Sequence, residues 1–419
     1  MFSGGQVGFR LFTPSPAFAG PSVLSTAFSP FAASVQGASN FSQASQRETG
    51  ATGDWLSGIR QRWFGNGNKL PGLDPEEFEG MVRKSWDLQS IGLPDGEPFH
   101  VRTATSAKIA RGENGVIYHN GKRYEAIGIT TAAGRGEKPN EDAIAMRMRQ
   151  SGAILFNLSD GMGGHSYGEV ASAAIVKAMG RYICQYEMDF QTAATRLQRR
   201  MNEAFKGYKY NGSGGTYTGM LLPPRRWSKG CVANAGDSGL TIVKNGRELV
   251  STRQDNMAYD MALHMSADDK LGIMEESKKP EFLRVARILR QMHNLGVLDP
   301  DVLNMAFIYS MNNRNVITNA FVVGNTKPMK VRTSNVPLKS GLIYLLYSDG
   351  VIDNMTPFEL SSRMASGLPL HESAYHLAQE VVSIQQRSEI EFDVGIPEGE
   401  KITGKPKKDN YAFWLVRVK

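Results

Sequence analysis

The sequence predicts an α+β fold, an antiparallel β-sandwich flanked by pairs of helices. Two observations carry this. Apolar or alternating runs of strand length come as hairpins, two of them joined or ended by Asn-Gly, and helical periods come in consecutive pairs instead of one after each strand. Strict strand–helix alternation, the mark of a doubly wound parallel sheet, is absent, and there is no internal repeat.

Residues 1–70 read as a disordered tail. Up to Arg47 there is no acidic residue and no lysine, and prolines at 14, 16, 21 and 30 interrupt any helix while Phe12, Phe18, Phe28, Phe31 and Phe41 follow no period. Low acidity and high serine also suit a leader for organelle import or secretion, although no basic start precedes a clean apolar core. Residues 71–114 hold a helix and a linker. Asp74 can cap the helix, Pro75 fits its first position, and Phe78, Val82 and Trp86 share one face.

The main domain is expected over 115–419. Val116-Ile117-Tyr118-His119 and residues 123–127 flank Asn120-Gly121 as a hairpin. Residues 153–158 form a buried strand. Helices follow over 170–186 and 191–206, with Asp189 as the cap between them. Strands are expected over 217–222, 230–235 and 239–244, the last running into Asn245-Gly246. Residues 280–295 and 300–311 are helical by period, and 331–335, 342–347 and 411–418 complete the strands.

The chain of 419 residues carries 48 basic and 41 acidic side chains, a formal charge of +7. It lacks the run of about 18 apolar residues that a membrane-spanning helix needs. Two cysteines, Cys184 and Cys231, make neither a disulfide framework nor a four-cysteine zinc site, which fits a reducing compartment such as the cytoplasm. Neither starts a cysteine-phosphatase loop, because Phe190 and Asp237 stand six residues on, where that mechanism needs Arg. Arg196, Arg199 and Arg200, and Lys401, Lys405, Lys407 and Lys408, are charge runs without interleaved aromatics, so they read as solvated faces and not as a nucleic-acid surface.

Five segments place aspartate with glycine or asparagine beside apolar runs: Asn140-Glu141-Asp142-Ala143, Ser159-Asp160-Gly161-Met162-Gly163-Gly164-His165, Asn234-Ala235-Gly236-Asp237-Ser238, Ser348-Asp349-Gly350 and Asp409-Asn410. Singly, each is more often a turn than a ligand. Gathered at one sheet edge, the acids would repel one another, and hard divalent cations bound through oxygen, Mg²⁺ or Mn²⁺, are the simplest relief.

In this order, with Gly215-Thr216 between the second and third, these segments resemble the signature motifs of the metal-dependent protein phosphatases, the PPM or type 2C serine/threonine family, in their bacterial form. The likeness runs from about Tyr124 to the C-terminus. It implies the α-β-β-α layering of that family and hydrolysis of phosphoserine and phosphothreonine by a hydroxide bridging two metal ions. Asp160 would bridge the ions, with Glu141 and the Gly161 carbonyl on one and Asp349 and Asp409 on the other. Asp142 would hold the metal-bound water, and Asp237 would contribute to a third ion. The helical region over 252–313 occupies the place of the family's flap beside the cleft.

Three features depart from the pattern. Glu137 stands where many members carry the phosphate-gripping arginine, so Arg135 is assigned that role, with Lys138 the lesser substitute. Met162 stands where some members carry a histidine proposed as general acid, and His165 nearby reads equally as a turn histidine. The alternative function is a catalytically weak member acting as a regulatory binding module. The expected partner is a phosphoprotein substrate, without membrane or nucleic acid, and the expected state is a monomer. A chain lacking residues 1–70 should stay soluble and keep metal-dependent phosphatase activity, and losing either would place part of the core in that stretch.

Overall fold

The computed structural model describes residues 115–131, 140–162, 167–204, 212–224, 229–277, 279–311, 314–327, 329–364, 367–396 and 399–419. The expected tail over 1–70 and the helix and linker over 71–114 lie outside the described residues.

β1 (Gly115–Asn120) and β2 (Tyr124–Thr131) form the first hairpin, with Asn120 opposite Glu125 and the Gly121 N–H donating to the Tyr124 carbonyl at 2.9 Å. The chain therefore turns at Lys122-Arg123 and not at the expected Asn120-Gly121, neither of which takes a positive φ. β3 (Asp142–Met148) and β4 (Ile154–Met162) form the second. α1 (Gly168–Cys184) and α2 (Phe190–Ala204) follow as a pair. Asp189 caps the second of these, accepting from the Thr192 N–H at 2.8 Å and the Thr192 hydroxyl at 2.7 Å. β5 (Gly214–Gly215), β6 (Tyr217–Leu222), β7 (Lys229–Ala235), β8 (Gly239–Lys244) and β9 (Arg247–Ser251) come next. Asn245 and Gly246, with φ of 50° and 73°, make the two-residue turn from β8 to β9.

Four helices then run in sequence: α3 (Met257–His264), α4 (Ala267–Glu275), α5 (Pro280–Asn294) and α6 (Pro300–Ser310). The last two carry proline in their first turn, where its missing N–H costs nothing. β10 (Phe321–Val322), β11 (Arg332–Pro337), β12 (Leu342–Tyr347), α7 (Asp349–Ile352), α8 (Pro357–Arg363), α9 (Leu370–Gln385), β13 (Ile390–Phe392), β14 (Ile402–Gly404) and β15 (Tyr411–Val418) complete the chain.

One sheet has the order β1-β2-β15-β12-β8-β9, and a second has β10-β5-β4-β6-β7-β11 with β3 also on β4. Every strand pair in both is antiparallel. The two-residue period of β4 shows how the layers form. Ile154, Phe156 and Leu158 point into a core shared with Tyr344, Leu346, Trp414 and Val416 of the first sheet. Leu155 faces the other way, toward Ile175 and Met179 of α1 and Ala193 and Leu197 of α2. On the far side, the Tyr411 hydroxyl of β15 donates to the Ala378 carbonyl of α9 at 3.1 Å. The layers are therefore α-β-β-α, the predicted fold class.

Several elements are present that the sequence pattern did not indicate. β3 begins on Asp142 itself, so the acid that marked a motif also opens a strand whose Ala143, Ile144 and Met146 are buried. α9 follows Pro369 with no side-chain cap, so its start carries no signal, although Leu370, Ala374, Leu377 and Val381 keep a helical period. β13 and β14 are short strands pairing only with each other.

Trp414 joins the two sheets. It is fully buried, meets Phe156 edge-on with ring centroids 5.0 Å apart, and donates from its indole N–H to the Asn157 carbonyl at 2.9 Å. Trp414→Ala should destabilise the domain by about 3–5 kcal/mol, seen as a lower urea midpoint with little change in slope.

Candidate metal centre

Strands of both sheets deliver their acids to one edge. Asp142, the first residue of β3, lies directly opposite Asp160 near the end of β4. Asp349 follows β12 and opens α7, Asp409 precedes β15, and Asp237 sits between β7 and β8.

Hydrogen bonds fix these loops to each other. Thr216 exchanges two with Asp160, donating its N–H to the Asp160 carbonyl at 2.9 Å and accepting the Asp160 N–H on its hydroxyl at 3.0 Å. That hydroxyl also lies 2.7 Å from the hydroxyl of Ser238, so the Gly215-Thr216 segment ties the strand of Asp160 to the loop of Asp237. Gly236 turns that loop with φ of 108°, and its N–H donates to Asp255 Oδ2 at 3.2 Å.

Two glycines allow contacts that any side chain would block. A Cβ on Gly161 would lie 2.3 Å from the Gly168 carbonyl oxygen and 2.5 Å from that of Glu141. A Cβ on Gly350 would lie 1.8 Å from the Asn410 carbonyl oxygen, so α7 seats directly on the segment that carries Asp409.

Asp160, Asp237 and Asp349 each offer a carboxylate oxygen, and these atoms all lie within 4.8 Å of one another. Asp142 Oδ2 accepts from the Ser348 hydroxyl at 2.6 Å. Burial pushes the Asp142 carboxyl up to about 8, with Asp349 and Asp409 adding to the effect and the Ser348 hydrogen bond opposing it. Burial, then the charges of Asp349 and Asp142, raise Asp160 well above the carboxylate range, and burial with Asp349 does the same to Asp237. Asp237 Oδ1 is buried with no hydrogen-bond partner among the described residues.

The remaining donors border the same edge. The Gly161 N–H donates to the Glu141 carbonyl at 3.0 Å. Glu141 Oε1 and the Gly161 carbonyl oxygen both approach Gly168 at the start of α1, 2.6 and 2.9 Å from where its Cβ would be. Asp409 has its carbonyl held by Gln385 Nε2 at 3.0 Å, and its Oδ2 lies 3.3 Å from Lys407 Nζ. An all-oxygen set with crowded carboxylates and an unpartnered buried oxygen fits a hard divalent cation. Arg135, Glu137, Lys138 and His165 lie outside the described residues.

Lys407 is the main surprise. Its charge run suggested a solvated face, yet its ammonium contacts Asp349 and lies 3.3 Å from Asp353. Burial works against its charge, but Asp349, Asp353, Asp409 and Asp160 together raise its pKa and keep it protonated. The available signal was its spacing two residues before Asp409, which puts both on one side of an extended segment. Asp255, fully buried, was also missed, although Asp255-Asn256 has the form of Asp409-Asn410.

The raised carboxyls predict a pH dependence. A carboxyl whose pKa is higher folded than unfolded takes up a proton on folding, so its contribution is most favourable at low pH. That contribution is lost as pH rises from 3.8 through about 8, the window of Asp142. In chelator, the melting temperature should be lower at pH 8 than at pH 6. Excess Mn²⁺ should raise it, and more at pH 8, because the cation replaces protons. A melting temperature indifferent to Mn²⁺ at both pH values would contradict this.

A model described as protein phosphatase 2C matches residues 131–365. A Streptococcus pyogenes serotype M6 protein of protein phosphatase 2C type is 24% identical over 246 residues, 55% of this chain and 94% of that protein. Among solved structures, the S. agalactiae serine/threonine phosphatase is 18% identical, with a TM-score of 0.46, covering 74% of this chain and 100% of its own. The Mycobacterium tuberculosis serine/threonine phosphatase PstP/Ppp is 17% identical, with a TM-score of 0.46, covering 71% of this chain and 99% of its own.

Proposed function

The chain belongs to the protein phosphatase 2C family, and we propose that it is a metal-dependent hydrolase of phosphoserine and phosphothreonine in proteins. The observation that carries this reading is the convergence of Asp160, Asp237 and Asp349 within 4.8 Å at an edge that also holds Asp142 and Asp409.

In this reading Asp160 would hold two Mn²⁺ or Mg²⁺ ions, one together with Glu141 and the Gly161 carbonyl and the other with Asp349 and Asp409, and Asp237 would contribute to a third. Bound cations would supply a hydroxide from a shared water at neutral pH and neutralise the phosphoryl oxygens during in-line attack.

The chain's own groups do the rest. Ser348 fixes Oδ2 of Asp142 at 2.6 Å, and with it the plane of the carboxyl, so Asp142 can orient the attacking water and accept its proton. Thr216 holds the backbone of Asp160 from two sides, which limits how far the bridging carboxylate can shift. Arg135 is the proposed phosphate anchor on the sequence reading. Its planar fork matches two phosphoryl oxygens, whereas Lys138 offers a point charge.

Phosphate release from phosphoserine and phosphothreonine peptides, with and without Mn²⁺, tests the reading. Asp160→Asn should lower turnover by at least about a hundredfold, because a neutral amide bridges two cations poorly. Asp349→Asn and Asp409→Asn should fail at low Mn²⁺ and recover in part at high Mn²⁺. Wild-type activity in Asp160→Asn would sink the two-ion assignment. A folded wild-type chain with no Mn²⁺-dependent turnover would favour the binding-module alternative.

Arg135→Ala should raise KM markedly while kcat changes less, and Lys138→Ala should do less. Unchanged kinetics in both would leave the cations alone to hold the phosphate.

A further inference from the structure

The Lys407 ammonium is set among carboxylates of two kinds. Asp349 and Asp409 are proposed metal ligands, whereas Asp353 is assigned to no ion and pairs with Lys407 and Arg314. Nζ contacts Asp349 Oδ2 and lies 3.3 Å from Asp409 Oδ2 and 3.3 Å from Asp353 Oδ2. The placement is built into the backbone. The Lys407 N–H donates to Asn354 Oδ1 at 2.9 Å, and the Lys407 carbonyl accepts from Asn354 Nδ2 at 3.0 Å. Asn354 Nδ2 also donates to the Gly350 carbonyl at 2.8 Å, which clamps the lysine segment to the helix that carries Asp349.

Asp353 is itself anchored from the other side. Arg314 Nε lies 3.5 Å from Asp353 Oδ1, and Arg314 Nη2 donates to the Asp353 carbonyl at 2.8 Å. The guanidinium in turn lies over the rings of Phe392 and Tyr309, at 4.9 and 5.2 Å from their centroids. One oxygen of Asp353 therefore belongs to a fixed arginine and the other faces Lys407.

We infer that Lys407 is a resident cation that competes with the metal for Asp349 and Asp409, and that Asp353 is the seat to which it withdraws when the metal binds. The inference rests on the reading of Asp349 and Asp409 as metal ligands. An ammonium and a divalent cation repel each other at short range, so the two compete for those two carboxylates. Withdrawal needs no rearrangement of the backbone, because the Nζ already lies beside Asp353 and its main chain is held by Asn354. The metal affinity of this half of the centre is then the intrinsic affinity reduced by the work of displacing the lysine. Lys407 is thus a positioning residue that sets the concentration of Mn²⁺ or Mg²⁺ at which the centre fills.

Calorimetric titration of the full chain with Mn²⁺ tests this without relying on activity. Lys407→Met should bind Mn²⁺ on the order of tenfold more tightly than wild type, with the number of ions unchanged. Asp353→Asn should weaken binding in the wild-type background, where the lysine loses its seat. The same change should have little effect in the Lys407→Met background, so the two substitutions should be coupled in a double-mutant cycle. Lys407→Gln serves the same purpose should the methionine variant fail to fold. Equal or weaker Mn²⁺ affinity in both Lys407 variants would overturn the competition, and additive effects of Lys407→Met and Asp353→Asn would overturn the seat. If folded wild-type and variant chains all bind no Mn²⁺, the metal reading itself falls and takes this inference with it.

Discussion

Mutual repulsion among acids at one edge of the sandwich is the constraint on which the rest of the structure depends. Two unit charges about 4 Å apart repel by roughly 4 kcal/mol at an effective dielectric constant near 20. Asp160, Asp237 and Asp349 meet within 4.8 Å, so full ionisation of all three would cost on the order of the whole stability of a domain. Burial, with the neighbouring acids adding to it, pushes Asp142, Asp160 and Asp237 all upward, so without cations these carboxyls favour their protonated forms. The sandwich core, joined across its sheets by Trp414, supplies the rigidity that keeps these groups from drifting apart.

That rigidity reaches the loops by specific hydrogen bonds. Asp255 illustrates this, because it is fully buried and joins four segments. Its Oδ2 accepts from the Gly236 N–H and, at 2.7 Å, from Asn319 Nδ2, and its Oδ1 pairs with Arg332 at the start of β11. Its carbonyl accepts from the Thr318 N–H at 2.8 Å, and the next residue, Asn256, caps α3 by accepting from the Tyr259 N–H at 2.9 Å. The loop bearing Asp237 and the first of the four consecutive helices thus share one anchor. Gly236 and the start of α3 are linked through two adjacent residues, Asp255 and Asn256.

Legibility in the sequence followed how local each signal was. The turn at Asn245-Gly246 and the cap at Asp189 were readable because each depends on a few adjacent residues. The first hairpin was readable for the same reason, although it turns at Lys122-Arg123 and not at the Asn120-Gly121 pair. The acid motifs were readable only together, because each passes singly as a turn while their number and order carry the resemblance to the family. β3 was hidden because its first residue is a motif acid, and α9 because its start has no capping side chain. Asp255 and Lys407 were hidden for another cause. Their roles lie in partners far away in sequence: Gly236 and Arg332 for one, Asp349 and Asp353 for the other. Residues of that kind acquire meaning only when the sheet edges close.

The charge balance at the edge explains why one lysine and one arginine do not complete it. Among the described residues, Lys407 and Arg314 stand against Asp142, Asp160, Asp237, Asp349, Asp353 and Asp409. Arg314 is committed to Asp353 and to the rings beneath it, whereas Lys407 faces Asp349 and Asp409 directly. One positive charge cannot neutralise several carboxylates, and protons can do so only with the acids in the form least able to hold a cation. Divalent ions resolve both problems together, since they bring two charges each and bind the ionised form. On the proposed function, the same ions that would supply the chemistry would therefore also relieve the main electrostatic cost of this edge, which would couple catalysis to stability.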